Sequence, residues 1–382
     1  MSKPRLLIDA SAGFNQGAGI GRYSRSLLRA ALPALGSDFD VRLWYAAEAP
    51  ERATYETEAM ESIPASFGAS VKRSRLSRRR IDQLARLPID IPTRLIAGAA
   101  EVAYSPDFTL PGVFRGGSAI TVHDLAFDII PRVYPAGLLK YLRHVVPANI
   151  RRATQIAVVS RTTRIDVVER YNIAPEQVVV IPNAADERFF SALPLSVARR
   201  QALNIPVDYL LTVGTIEPRK NYMTLLSAQA SAFEETRRPL VVVGRAGWHN
   251  HDEMQLLRQL ADKSAVIPLI DASDCDLPGL YAGAVALAYV PLYEGFGLPV
   301  LEAMAAGASV ITSDIPSVRE VASGFATVVP PLDVGRLRDA LCEVQPALPD
   351  NRAARQAAAR QYSWEASGRI LHTMLLGLAR RA

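Results

Sequence analysis

Two glutamates, Glu294 and Glu302, bracket the run Gly295-Phe296-Gly297-Leu298-Pro299-Val300 with seven residues between them. Pro299 suits the first turn of a helix, Leu301 to Ala306 favour its continuation, and Gly307 suits its end. The run therefore reads as a loop feeding a helix N-terminus, where free backbone N–H groups and the helix dipole favour phosphate. Pro299 lacks an N–H, which leaves the amides of Gly297, Leu298 and Val300 to cradle it. Carboxylates beside a phosphate would repel it unless they address hydroxyls, and a sugar nucleotide carries hydroxyls on both its sugar and its ribose. A helix-capping loop with two solvated glutamates is the plain alternative. A second segment argues against it. Gly214 to Asn221 (GTIEPRKN) follows the run Leu210–Val213 directly, placing Arg219 and Lys220 at the C-terminal edge of the same sheet. Cations beside such a loop are what a diphosphate requires.

The first half of the chain offers less chemistry. Gly17, Gly19 and Gly21 open a helical stretch, Gly21–Leu32, and could let backbone approach a ligand. Their spacing does not fit a dinucleotide fingerprint, which disfavours a nicotinamide oxidoreductase. His123 follows the run Ile120–Val122, where a functional group would lie at a strand's C-terminal end beside Asp124; His144, His249, His251 and His372 read as structural. Two Asp-x-Asp pairs occur, Asp38/Asp40 ahead of a strand and Asp274/Asp276 ahead of a helix, the latter placed as an N-cap. Neither pair reads as a metal site, so no metal or other cofactor is expected. Arg219, Lys220 and the two loops would then stabilise the leaving diphosphate. Lys72 to Arg80 holds six basic residues in nine. Such runs are commonly solvated loops. The functional alternative is contact of Arg78, Arg79 and Arg80 with anionic lipid or a lipid-linked acceptor. Nucleic acid is disfavoured for want of interleaved aromatics.

Short β-branched runs alternate with amphipathic helical stretches along the chain, predicting parallel sheets wound on both faces. Five or six strands per half suit two doubly wound, Rossmann-like domains facing across a cleft, where open α/β sheets bind ligands. The rhythm breaks in the polar, turn-rich stretch 183–206. The expected division is 1–190 for the first domain, 191–206 for a linker and 207–363 for the second domain, with a final helix, 364–382, packing back across the boundary. At 382 residues the length suits two such domains, and 49% hydrophobic against 21% charged residues excludes a disordered chain. The net charge of +5 is too small to name a partner. Two cysteines, Cys275 and Cys342, give neither a disulfide framework nor a metal set. No signal peptide is read at the N-terminus. The longest apolar stretch, Ala282–Leu292, falls short of the roughly 18–20 residues of a membrane span. A cytoplasmic protein, peripheral on the membrane at most, is expected.

Together these segments resemble the retaining glycosyltransferases of family 4, which have the two-domain GT-B architecture. Glu294 and Glu302 resemble the family's paired glutamates, Gly214–Asn221 its diphosphate loop, and Leu277–Ala284 (LPGLYAGA) the helix before the motif strand. Gly17–Tyr23 (GAGIGRY) resembles its N-terminal glycine loop, Thr121–Asp124 its active-site histidine segment, and Ile181–Asn183 the close of its first domain. Thr215 departs from the arginine found there in many members. The resemblance implies transfer of a hexose from a nucleotide diphosphate sugar, with anomeric retention and no metal, to a saccharide or lipid-linked saccharide. It implies that Glu294 and the backbone of Phe296 and Gly297 hold the sugar and Glu302 the ribose. Arg219 and Lys220, with Gly19, Leu298 and Val300, would serve the donor, and His123 would contact the reacting sugar. The Glu-Pro-Arg-Lys-Asn form of the loop is similar to that of bacterial mannosyltransferases of polysaccharide assembly, making GDP-mannose the expected donor. A phosphorylase or sugar synthase of the same architecture, or a non-catalytic scaffold, is the alternative.

Overall fold

The structure, a computed structural model, describes residues 2–17, 19–46, 60, 69–74, 80–81, 93–110, 114, 116–270 and 272–381. The chain forms two compact units. The first comprises Met1–Leu125, Lys140–Asn183 and Ser363–Ala382, and the second Ala126–Leu139 and Ala184–Tyr362.

The first unit is built on seven parallel strands: β1 (Arg5–Asp9), β2 (Asp40–Tyr45), β3 (Ser70–Arg73), β4 (Val102–Ser105), β5 (Gly117–Val122), β6 (Gln155–Val158) and β7 (Val178–Val180). Their order is β3-β2-β1-β4-β5-β6-β7. This exceeds the five or six strands expected. β4 has one β-branched residue in four, too few to stand out, yet lies buried along its whole length at the sheet's centre. β3 carries Lys72 and Arg73 and is exposed throughout. It is an edge strand blunted by charge, so the start of the basic run is strand rather than loop. Arg80 is exposed, and Arg78 and Arg79 lie outside the described residues.

The second unit has six parallel strands: β8 (Leu210–Val213), β9 (Leu240–Val243), β10 (Val266–Leu269), β11 (Ala286–Tyr289), β12 (Ser309–Ser313) and β13 (Thr327–Val329). They are ordered β10-β9-β8-β11-β12-β13. The order reverses between β8 and β11, so the loops leaving those two strands diverge and open a crevice at their C-terminal ends. The core beneath is aliphatic, with Leu210, Leu226, Val242, Ala288 and Ile311 fully or nearly fully buried.

The stretch read as a linker packs within the second unit. Ser196 caps the helix Val197–Ala202 through the Arg199 N–H. Arg199 then grips Asp276 bidentately at 2.9 and 2.6 Å. Asp276 does sit at the N-cap of the helix Leu277–Gly283, but its side chain makes no capping hydrogen bond there. The division between units falls at Asn183/Ala184, ahead of the expected 190. The last helix, Trp364–Ala379, belongs to the first unit and lies on the helix Gly19–Asp38. Close approach is allowed by Gly368, where a Cβ would stand 3.1 Å from the Ala30 backbone. Ser367 Oγ donates to the Pro182 carbonyl at 2.7 Å, and His372 pairs with Asp38 at 2.8 Å.

Candidate functional site

In the second unit the two segments singled out in the sequence meet at the crevice. The loop after β8 turns at Gly214 and runs through a 3-10 turn, Pro218–Lys220, that ends on Asn221 in the left-handed region (φ 60°). Asparagine tolerates that conformation better than most residues. Its side-chain amide donates to the carbonyls of Val290, at 2.9 Å, and Pro331. The Leu292 N–H donates to the Arg219 carbonyl at 2.9 Å. The cationic loop is thereby sewn to the exit of β11, which carries Glu294.

The pairing there was not legible in the sequence. A single carboxylate oxygen, Glu294 Oε1, accepts from Arg219 Nη1 at 2.8 Å, from Tyr289 Oη at 2.8 Å and from Lys220 Nζ. Lys220 also donates to Tyr289 Oη at 2.6 Å, and Arg219 Nη2 pairs with Glu217 Oε1 at 2.9 Å. Ser317 Oγ donates to the Glu294 carbonyl at 2.5 Å. Burial pushes the Glu294 carboxyl up, but Arg219 and then Lys220 outweigh it and hold it at about 2. Burial pulls the Lys220 ammonium down, Arg219 adds to that, and Glu294 opposes both. Burial followed by the Glu294 charge pushes the Tyr289 phenol well up. Sequence reasoning had Arg219 and Lys220 awaiting a diphosphate. The structure also pairs both cations with the protein's own carboxylate.

The glycine loop departs from expectation in detail. The helix is Leu298–Ala305 and its N-cap, Gly297, is left-handed (φ 96°); a Cβ there would be strained and only 3.1 Å from Val318 Cγ2. The Val300 N–H donates to the Gly297 carbonyl at 3.0 Å, so it is not available for phosphate as expected; the tight turn after Gly297 consumes it. Phe296 is buried edge-on against Tyr362, with ring centroids 5.5 Å apart, so its side chain is core and only its backbone could reach a ligand. Glu302 is 1% exposed and accepts from Tyr281 Oη at 2.9 Å. Tyr289 and Tyr281, which fix the two glutamates, were missed; their only sequence signal is a tyrosine within an apolar strand and another within a helix.

In the first unit, His123 follows β5 as expected. Its Nε2 lies 2.9 Å from the Pro106 carbonyl. A carbonyl only accepts, so Nε2 carries the proton and Nδ1 presents a lone pair in the neutral ring. Burial lowers the ring's pKa, against the charges of Asp107 and Asp124, favouring that neutral form. Tyr23 packs edge-on against the imidazole, centroids 4.8 Å apart. Gly19 lies in the first turn of the helix Gly19–Asp38, which starts ahead of the expected Gly21. A Cβ at Gly19 would meet nothing within 4 Å, whereas one at Gly21 would fall 1.8 Å from the Gln16 carbonyl oxygen. The fold thus requires a glycine at Gly21. A basic face also escaped notice: Lys140, Arg143, His144 and Arg151 are exposed along one stripe of the helix Ala136–Arg152, which has no acidic residue.

The Asp-x-Asp aspartates are occupied by cations: Asp40 by Arg42 at 2.8 Å, Asp274 by Arg188 at 2.6 Å and Asp276 by Arg199. Among the described residues no group of three or more His, Cys, Asp or Glu could hold a metal ion. Among them also, no helix is long and apolar enough to cross a membrane.

Comparison with known proteins covers nearly the whole chain. Residues 17–189 match the model of Glycosyltransferase Family 4, and residues 198–359 that of Glycosyl transferases group 1. The O-antigen chain mannosyltransferase B of Escherichia coli is 29% identical over 370 residues, 91% of this chain and 93% of that protein. The O-antigen chain mannosyltransferase RfbU of Salmonella typhimurium is 27% identical, covering 90% and 92%. Among solved structures, HepE of Anabaena in complex with UDP and glucose aligns with a TM-score of 0.71 at 15% identity, over 98% of this chain and all of that one. WaaG, a glycosyltransferase involved in lipopolysaccharide biosynthesis, aligns with a TM-score of 0.64 at 17% identity, over 97% of this chain and all of that one.

Proposed function

The chain belongs to glycosyltransferase family 4, with the GT-B fold, and from that premise we propose that it is a retaining mannosyltransferase of bacterial polysaccharide assembly, using GDP-mannose. The observation that carries the reading is the buried cluster of Arg219, Lys220 and Glu294 at the β8/β11 crevice, in a chain similar over nine-tenths of its length to an O-antigen mannosyltransferase. The cations suit a diphosphate and the carboxylate a sugar hydroxyl, so one cluster addresses both ends of the bond to be broken.

In the reaction an acceptor hydroxyl attacks the anomeric carbon. The new C–O bond forms as the bond from that carbon to the diphosphate oxygen breaks, on the same face of the sugar. The nucleoside diphosphate leaves with the bonding electrons and takes the hydroxyl proton. Arg219 and Lys220 stabilise the charge that grows on the leaving group, in a setting poor in water where such stabilisation is strongest. With these two cations in place the proposal needs no metal. In the second unit Glu294 accepts from a sugar hydroxyl and Glu302 addresses the ribose; in the first unit His123 offers Nδ1 as a hydrogen-bond acceptor. The proposed acceptor is a saccharide carried on lipid. Lys72, Arg73 and Arg80 together with the stripe Lys140, Arg143, His144 and Arg151 support a reversible attraction to an anionic membrane.

Calorimetric titration with GDP-mannose, GDP, UDP-glucose and ADP-glucose tests the donor, and the anomeric configuration of the product, read by NMR, tests retention. Binding confined to UDP- or ADP-sugars, or an inverted product, refutes the corresponding part. Phosphate-dependent reversal with a free sugar would instead favour a phosphorylase.

A further inference from the structure

Resting on the reading of this cluster as the donor site, we infer that Tyr289 is the positioning residue of Glu294: its phenol keeps the carboxylate in place for the sugar once a diphosphate has taken the cations. Glu294 Oε1 accepts from three donors, Arg219, Lys220 and Tyr289. Two are cations on the loop after β8. A diphosphate brings negative charge to them and competes directly for their N–H groups. The third is neutral and attached differently.

Tyr289 is the last residue of β11, 2% exposed, and Thr312 Oγ1 of β12 donates to its carbonyl at 2.7 Å. Its backbone is therefore fixed by a central strand pair rather than by the loop. With its pKa pushed well up by burial, the phenol keeps its proton across working pH. That proton points to Glu294 at 2.8 Å while the same oxygen accepts from Lys220 at 2.6 Å. The lysine ammonium lies 5.1 Å from the ring centroid. Phenylalanine in its place would preserve the ring and its burial and would remove the hydroxyl, which is both the donor to Glu294 and the acceptor from Lys220.

The experiment is Tyr289→Phe in the full chain, with three readouts. Expected are an unchanged affinity for free GDP within about twofold, a fall in kcat/KM for the sugar nucleotide of about 10- to 100-fold from loss of a charge-assisted hydrogen bond, and no comparable loss of melting temperature. Equal losses for GDP and for the sugar nucleotide overturn the inference, because the phenol would then act through Lys220 on the diphosphate. So does unchanged turnover. Should Tyr289→Phe fail to fold, 3,5-difluorotyrosine at position 289 keeps the shape and makes the phenol more acidic. kcat/KM for the sugar nucleotide should then fall at the pH where absorbance shows the substituted phenol ionising; turnover that persists unchanged through that ionisation overturns the inference. Failure of the parent reading is distinguishable, because wild-type protein would then bind no sugar nucleotide at all.

Discussion

Glu294→Gln tests the proposal that one carboxylate serves two tasks, as counterion to Arg219 and Lys220 and as ligand to the sugar. The Lys220 and Arg219 side chains are only 13% and 15% exposed, and both address the same oxygen. Removing the charge leaves Glu217 beside Arg219 and takes from Lys220 the carboxylate it is paired with. Breaking a buried pair from one side costs about 3–5 kcal/mol. For a unit of this size each kcal/mol is worth about 2–4 °C, so the ligand-free variant should melt about 10 °C lower. Lys220 can limit the loss by shedding its proton, since burial and Arg219 already depress its pKa. A nucleoside diphosphate supplies the missing anion, and in wild type it must first displace Glu294. GDP should therefore bind the variant about tenfold more tightly, about 1.4 kcal/mol, and raise its melting temperature further than it raises that of wild type. Sugar transfer should fall more than about 100-fold. The sign of the pH dependence is fixed as well. The native carboxyl is held at about 2 against 4.5 for an unperturbed glutamate, so its contribution is full above about pH 4.5 and lost as pH falls toward 2. The stability gap between wild type and variant should close over that window. Scanning calorimetry with and without GDP measures the stability and binding changes, and a sugar-transfer assay measures the turnover. A variant as stable as wild type that binds GDP no more tightly would refute the idea of an internal counterion.

Lys220→Ala should lower donor affinity and kcat together, because the diphosphate charge it meets is present in the ground state and grows in the transition state; unchanged kinetics in a folded variant remove it from the site. Activity should survive EDTA without added Mn²⁺ or Mg²⁺, and chelator inactivation reversed by either ion contradicts the proposed electrostatics. The protein should sediment with anionic liposomes at low salt and be released as the Debye length shrinks toward about 8 Å at physiological salt. Replacing Lys140, Arg143 and Arg151 with Ser should lose most of that binding, and binding indifferent to salt and to the substitutions points to a soluble acceptor.

How much of this could be read from the sequence follows from which interactions are local. Strands β8 to β13 are short apolar runs between amphipathic helices, and all six were legible. β4 was not, because Val102–Ser105 lacks β-branched density and becomes a strand only through its neighbours β1 and β5. The stretch after Asn183 reads as a linker because its residues favour turns. What holds it is packing of Pro194 and Leu195 on the helix Leu277–Gly283, with the ion pair of Arg199 and Asp276, 77 residues away, and no window on the sequence contains these partners. Likewise Ala126–Leu139 belongs to the second unit although the sequence rhythm there runs on without a break.

The candidate site shows the same limit more sharply. Residue types and motif spacing identified Glu294, Arg219 and Lys220 one by one, and a chemistry was assignable to each from its type. Their mutual arrangement was not assignable. Separations of 75 and 74 residues are closed only because β8 and β11 are neighbours at the point where the strand order reverses. Two buried cations so close together require an anion whether or not a ligand is bound. A sequence reading that reserves them for a diphosphate leaves the ligand-free protein with that charge uncompensated. Glu294 supplies that anion, and in the function proposed above, where it also serves the sugar, it needs a donor that does not leave with the diphosphate. Tyr289 meets that requirement through its place at the end of a buried strand. In the sequence it is one apolar-strand tyrosine among thirteen tyrosines.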